Sequence, residues 1–204
     1  MSWTIRIYDM QRNLLSTYVN GVNIETGQIG IESILTATVE PPFGNCKEMQ
    51  FIGRNDVLQV DARNIVQYLE DDVPVFWGPL IIYPSPLTRG AGPEDANADA
   101  RNMFVVAGGM HLLTRSTVGP KIYNDEQYDV AVQMRMIGEE FGHPALIWDE
   151  TEMPVTGVNS NIAASPYRNL KDLFDDMSKL VPNSFYGVQA EGKVFIKILN
   201  EVEE

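Results

Sequence analysis

DDVPVFWGPLIIYP, residues 71–84, sets twelve almost unbroken apolar residues behind two acids, with Pro74 and Pro79 inside the run. It is too short to span a bilayer, which takes about 18–20 apolar residues. Its prolines break a helix, because each lacks an N–H and clashes with the preceding turn. A strand remains, and one more apolar than a half-exposed sheet needs. Strands covered on both faces lose the polar alternation and read as continuous apolar runs. The stretch therefore predicts a barrel-like sheet in which this strand is covered twice. Its second cover is expected from a neighbouring subunit, or else from burial within the one chain. Val75, Phe76, Trp77, Leu80 and Ile82 are the candidate interface residues. Pro74 and Pro79, which cannot donate to a ladder, fit an edge or a bulge beside Gly78.

The surrounding sequence is β-rich. Trp3, Ile5 and Ile7 alternate with Thr4, Arg6 and Tyr8, the period-two pattern of a half-buried strand. A polar turn from Asp9 to Asn13 leads to LLSTYV (14–19). Gly21 and Gly27 follow, then SILTATVEPP (33–42), stopped by Pro41 and Pro42. VLQVDA (57–62), IVQYLE (65–70) and FVVAGG (104–109) complete a set of short strands at barrel or sandwich spacing. PSPLTRGAGPEDANADARN (84–102) has little to bury and is expected to be a mobile hairpin tip.

Beyond Pro120 the period changes. Val130, Met134, Ile137 and Phe141 fall on one helical face, with Asn124 and Gln127 as a capping box and Gly142 and Pro144 as the stop. ALIW (145–148) reads as a short strand. A second helix is predicted from Ser165 and Pro166, turning Leu170, Leu173, Phe174, Met177 and Leu180 inward and ending before Pro182. FYGVQA and KVFIKIL flank Glu191-Gly192 as a hairpin. The expected class is α+β, mainly β. A β-barrel-like domain over 1–118 precedes a smaller α/β domain over 119–204, with two helices and a C-terminal hairpin.

The 204 residues carry 15 basic and 28 acidic side chains, a net charge of −13. Broad phosphate binding needs a basic footprint, so nucleic acid is not an expected ligand. Cys46 is the one cysteine, and no disulfide can form within the chain. With no signal-peptide core, the chain reads as a soluble product of the cytoplasm.

No catalytic signature stands out. His111 and His143 form no HxxxH or HExxH pair, and Cys46 has no adjacent group to lower its pKa. Neither a GxSxG elbow nor a GxxxxGK[ST] loop occurs. Asp95, Asn97 and Asp99 open like a calcium loop, but Ala100 and Val106 stand where glycine and a bidentate glutamate belong. The pairs Asp71-Asp72, Glu139-Glu140 and Asp175-Asp176 read as solvated acids, since helix neighbours do not face each other. Trp3, Trp77 and Trp148 lie in apolar strand patterns and read as core, not as a sugar platform. No catalytic residue, no metal ligand and no cofactor is expected.

The order of these segments resembles the N-terminal part of tail hub proteins of long-tailed bacteriophages. WTIRIYDMQRNLLSTY (3–18) is similar to the opening strand and turn, and ILTATVEPP (34–42) to a mid-domain strand. VPVFWGPLII (73–82) resembles the family's apolar–aromatic–Gly–apolar strand, and FVVAGGMHLLTRSTV (104–118) its partner leading to Leu-Leu-x-Arg. DEQYDVAVQMRMIGEEFG (125–142), SPYRNLKDLFDDMSKLVP (165–182) and FYGVQAEGKVFIKI (185–198) resemble the second part. The family shares its fold with contractile-phage baseplate hubs and type VI spike bases. The resemblance implies a non-enzymatic structural protein of the virion tail tip, made in the host cytoplasm. Its partners would be itself, as a ring expected to be a trimer, together with tail-tube, distal-tail and tape-measure proteins. DNA would be met only in transit, and no membrane binding is implied. Hubs of this family continue into further domains, so a complete hub, half of a split hub or a neighbouring ring component all fit. A virion-surface receptor- or glycan-binding module and a tail-associated hydrolase are the alternative readings.

Overall fold

The computed structural model describes residues 2–40, 45–54, 57–58, 60–86, 101–119, 128–160 and 168–199, with the side chains of 36–40, 45–47 and 82–86 left out. The chain divides into two compact units, Met1–Gly109 and Met110–Glu204. The architecture is α+β and mainly β, as the sequence patterns predict.

The first unit contains β1 (Trp3–Tyr8), β2 (Leu14–Val19), β3 (Val22–Asn23), β4 (Ile31–Glu40), β5 (Asn45–Arg54), β6 (Ile65–Glu70), β7 (Val73–Pro86) and β8 (Arg101–Ala107). They form one antiparallel sheet in the order β3-β2-β1-β6-β7-β8-β5-β4. The sheet curls until its ends approach. The Gly21 carbonyl accepts from the N–H groups of Gly30 (2.9 Å) and Ile31 (3.2 Å), which joins the β3 end to the start of β4. Gly21 has φ +87°, and a Cβ there would lie 2.0 Å from the Ile31 oxygen, so the seam requires glycine. Inside the curl, Ile5, Ile7, Tyr18, Ile31, Met49, Phe51, Phe76, Leu80 and Phe104 make one core.

Two elements depart from the sequence expectation. VLQVDA (57–62) contributes no strand; its described residues are turn and irregular chain before β6. The strand in that part of the chain is instead NCKEMQFIGR, β5, which holds Met49 and Phe51 in the core. Its polar and charged residues mask the alternation. The tip over 87–100, including Asp95, Asn97 and Asp99, lies outside the described residues.

The second unit contains α1 (Met110–Arg115), β9 (Tyr128–Asp129), α2 (Val130–Phe141), β10 (Ile147–Trp148), β11 (Asn159–Ser160), α3 (Leu170–Ser178), β12 (Ser184–Val188) and β13 (Lys193–Ile198). β10, β13 and β12 form a three-stranded sheet, and β11 pairs with β9. The division falls before α1, earlier than the boundary at 118/119, and α1 adds a third helix to the two expected. The reason is hydrogen bonding. Leu170 donates to the Ser116 carbonyl, and Val118 donates to that of Arg168, tying the segment after α1 to the entry of α3.

The helix starts also shift. Asp129 caps α2, its carboxylate accepting from the Ala131 N–H, and Asn169 caps α3 by accepting from Asp172. Asn124, Gln127, Ser165 and Pro166 lie outside the described residues. Leu170, Leu173, Phe174 and Met177 are buried, but Leu180 lies beyond the last turn of α3 and is exposed. Trp148 packs on α2 at its glycines. A Cβ at Gly138 would sit 2.4 Å from the indole, and one at Gly142 would sit 2.6 Å from it. The hairpin β12–β13 turns at Gly192, φ +79°.

Candidate functional site

The interface candidates lie on β7, the longest strand, which changes partners along its length. Val73 to Pro79 pair with β6, and Leu80 to Pro86 pair with β8. Pro74 stands beside a register shift between Tyr68 and Leu69. Pro79 stands at the changeover, where its missing N–H is best tolerated; the next residue, Leu80, donates to the Asn64 carbonyl at 2.9 Å. Thus β7 is not an edge strand, and its prolines occupy a bulge and a corner. Between them, a Cβ on Gly78 would lie 1.7 Å from the Ala107 carbonyl oxygen. The Phe-Trp-Gly sequence therefore reflects backbone packed directly on backbone.

Both faces of this region are covered. Phe76 and Leu80 are fully enclosed in the core. On the opposite face Trp77, 2% exposed, sits beside Gln67, with Ile65 and Leu69 buried along β6. The Tyr8 ring lies 5.3 Å from the Trp77 ring, and the Arg12 guanidinium carbon lies 4.4 Å from its centroid. Tyr8 donates to Gln67 Oε1 at 3.0 Å. Trp77 Nε1 has no hydrogen-bond partner among the described residues, which is costly for a buried donor. Val75 is half-buried, and the side chain of Ile82 is outside the description, although its backbone pairs with Phe104.

All this covering is done by the one chain. Phe76, Trp77 and Leu80 have almost no surface left to offer a neighbour, so of the two covers expected for the run, the intrachain one accounts for them. Val73, at the start of β7, is exposed, as is Leu35 on β4, but most exposed apolar side chains of the first unit lie elsewhere. Val19 pairs with Val22, and Val22 with Ile29, making a row across the β2–β3 end of the sheet. Ile24, two residues beyond Val22, is exposed as well, as are Leu14 and Leu15 at the start of β2. The sequence holds a trace of this surface that apolar runs alone miss. From Asn13 to Ile31, Glu25 is the one charged residue.

The titratable groups are accounted for structurally. Asp71 and Asp72 form the two-residue β6–β7 turn, with φ of 45° and 66°, and the Asp71 carboxylate accepts from the Ser2 N–H at 2.7 Å. Positive φ at both positions gives the twist that a tight hairpin favours. Glu139 and Glu140 are exposed at the end of α2. Burial works against the charged form of Asp175, but hydrogen bonds from Lys171 and Tyr186 hold it below the usual carboxylate range. Asp176 is held low by Lys179 and Arg168. Burial, with Glu70 beside it, raises the Tyr68 phenol, and Tyr68 donates to Glu70 at 2.8 Å.

His111 on α1 and His143 after α2 are both pushed down, by burial first and by Arg115 second. His143 Nδ1 accepts from the Ala145 N–H at 3.1 Å, a contact that needs the neutral ring. The side chain of Cys46 is not described. Among the described residues, no three His, Cys, Asp or Glu side chains come together as a metal site. No described helix is long and apolar enough to cross a membrane.

One acid escaped the sequence reading. Asp129 is buried, and beyond capping α2 it accepts from the Thr156 N–H, the Thr156 hydroxyl and the Gly157 N–H at 2.8–2.9 Å. Its oxygens are committed to holding the loop before β11, a structural role. No protein-family model matches the sequence, and no curated protein is significantly similar to it.

Proposed function

We propose that the chain is a structural component of a bacteriophage tail tip, a hub-like ring subunit that continues or caps the tail tube. The observation that carries this reading is a coincidence of motif and geometry. VPVFWGPLII and FVVAGG, two of the segments that carry the resemblance to tail hubs, are neighbours in one curled sheet. They run in register from Leu80 opposite Val106 to Ile82 opposite Phe104. Gly78 fits because the Ala107 backbone lies on it. An order of segments that resembles the family is here also an order of paired strands.

The charge balance supports the same reading. A channel that DNA must traverse works best when its wall does not hold phosphate, since each lysine or arginine contact adds counterion-release affinity. A net charge of −13 suits that task. The proposed ring is a homo-oligomer, expected to be a trimer, with a lumen free of any basic stripe.

Electron microscopy of the purified protein tests the reading. A closed ring with a central channel is the expected result. A population of monomers, or salt-sensitive binding of duplex DNA, contradicts it.

A further inference from the structure

We infer that the β2–β3 end of the first unit, the row Val19, Val22, Ile24 and Ile29, is where a second copy of this chain docks. The inference adds a location to the ring reading and rests on that reading for self-association itself. Strand register sets the row: Val19 opposite Val22, Val22 opposite Ile29, and Ile24 two residues along from Val22 on the same face. The four residues are each between 37% and 62% exposed, unlike the enclosed Phe76 and Leu80.

Area favours an interface over incidental exposure. At these exposures the four residues present roughly 350 Å², within the size range of the largest apolar patch on an ordinary monomer, a patch that is often functional. A standard interface takes about 800 Å² from each partner, a little over half of it apolar. The row supplies most of that apolar share.

Charge selects the occupant. A basic partner would be drawn to the acidic surface of a chain with 28 acids, not to a stretch with Glu25 as its one charge from Asn13 to Ile31. A partner of the same strong negative charge can approach only where acids are sparse. A second copy of this chain carries the same −13 by definition.

The test compares the parent with Ile24→Asp/Ile29→Asp and with Ile24→Val/Ile29→Val, by sedimentation equilibrium up to about 100 µM, a range that detects weak association. Both positions are exposed, and an unchanged far-ultraviolet spectrum and melting temperature establish that each variant is folded. The parent is expected to assemble, and the valine variant to follow it. The aspartate variant should associate at least about tenfold more weakly, because two unpaired charges would be buried in the contact. Assembly of the aspartate variant equal to the parent's overturns this location and leaves the ring reading standing. A parent that stays monomeric overturns both. A monomeric parent that co-sediments with phosphatidylcholine vesicles assigns the patch to lipid instead.

Discussion

β7 and the β2–β3 end of the same sheet are both apolar, yet they stand in opposite situations. The first is a dense run, enclosed on its core face by Phe76 and Leu80 and on its other face around Trp77. The second is dispersed, with Val19, Val22, Ile24 and Ile29 separated by Asn20, Gly21 and Asn23, and it is open. Density in the sequence tracks how many faces of a strand the chain itself covers. Apolar residues spaced among uncharged polar ones, with Glu25 as the one charge, mark the surface left for something else. A run as apolar as 73–82 therefore argues for a core rather than for an interface.

The largest expected effect comes from the enclosed region. Trp77→Ala should lower the unfolding free energy by about 3–5 kcal/mol, read by urea titration, since it empties a site that does not collapse fully. Trp77→Phe should cost well under half as much, because it also removes the buried, unpartnered Nε1 donor. A Trp77→Ala variant as stable as the parent would show β7 to be less enclosed than described. Next comes Gly78→Ala. Its new methyl would meet the Ala107 carbonyl oxygen at 1.7 Å, and backbone must move, a loss of about 2–3 kcal/mol by the same titration.

The two units are expected to differ in their response to mild acid. Both histidines belong to the second unit, and burial with Arg115 holds both below the ordinary range. Below about pH 6.5 the unfolded chain takes up protons that the folded unit refuses, so stability rises with pH across that window. The melting temperature should thus fall as pH is lowered from about 6.5 through the depressed histidine values. His111→Asn/His143→Asn should flatten that dependence. An unchanged slope in the double variant assigns the acid response to other groups. The lowered Asp149, Asp175 and Asp176 act in a separate, more acidic window. There the stability they contribute is lost as pH falls through their folded values.

The smallest effect is expected on the open row. Ile24→Asp by itself should change stability by no more than about 0.5 kcal/mol, the usual range for an exposed site. A much larger loss in thermal unfolding means that Ile24 is packed, and the contrast with β7 disappears.

Much of this fold is legible in the sequence because periodicity is a local signal. β1, β2, β6, the inward face of α2 and the β12–β13 hairpin follow from spacing alone. The misses have physical causes. β5 carries Lys47, Glu48 and Gln50 among its apolar residues, so its pattern resembles a loop. VLQVDA alternates like a strand but ends in a turn, where Asn64 accepts from the Asp61 N–H. The cap of α2 is Asp129 because its carboxylate also binds a loop 27 residues on, a contact that no local pattern encodes. The candidate site was half legible. The double covering of β7 is written in its composition, but which chain supplies the cover depends on how the sheet curls.

Hydrogen–deuterium exchange, followed by mass spectrometry on the assembled and on the diluted protein, tests the contrast most directly. Residues 65–82 should be strongly protected in both states, because their cover is intrachain. Residues 14–29 should gain protection only on assembly. Protection gained at 73–82 with none at 14–29 would place the subunit contact on β7 and contradict the account.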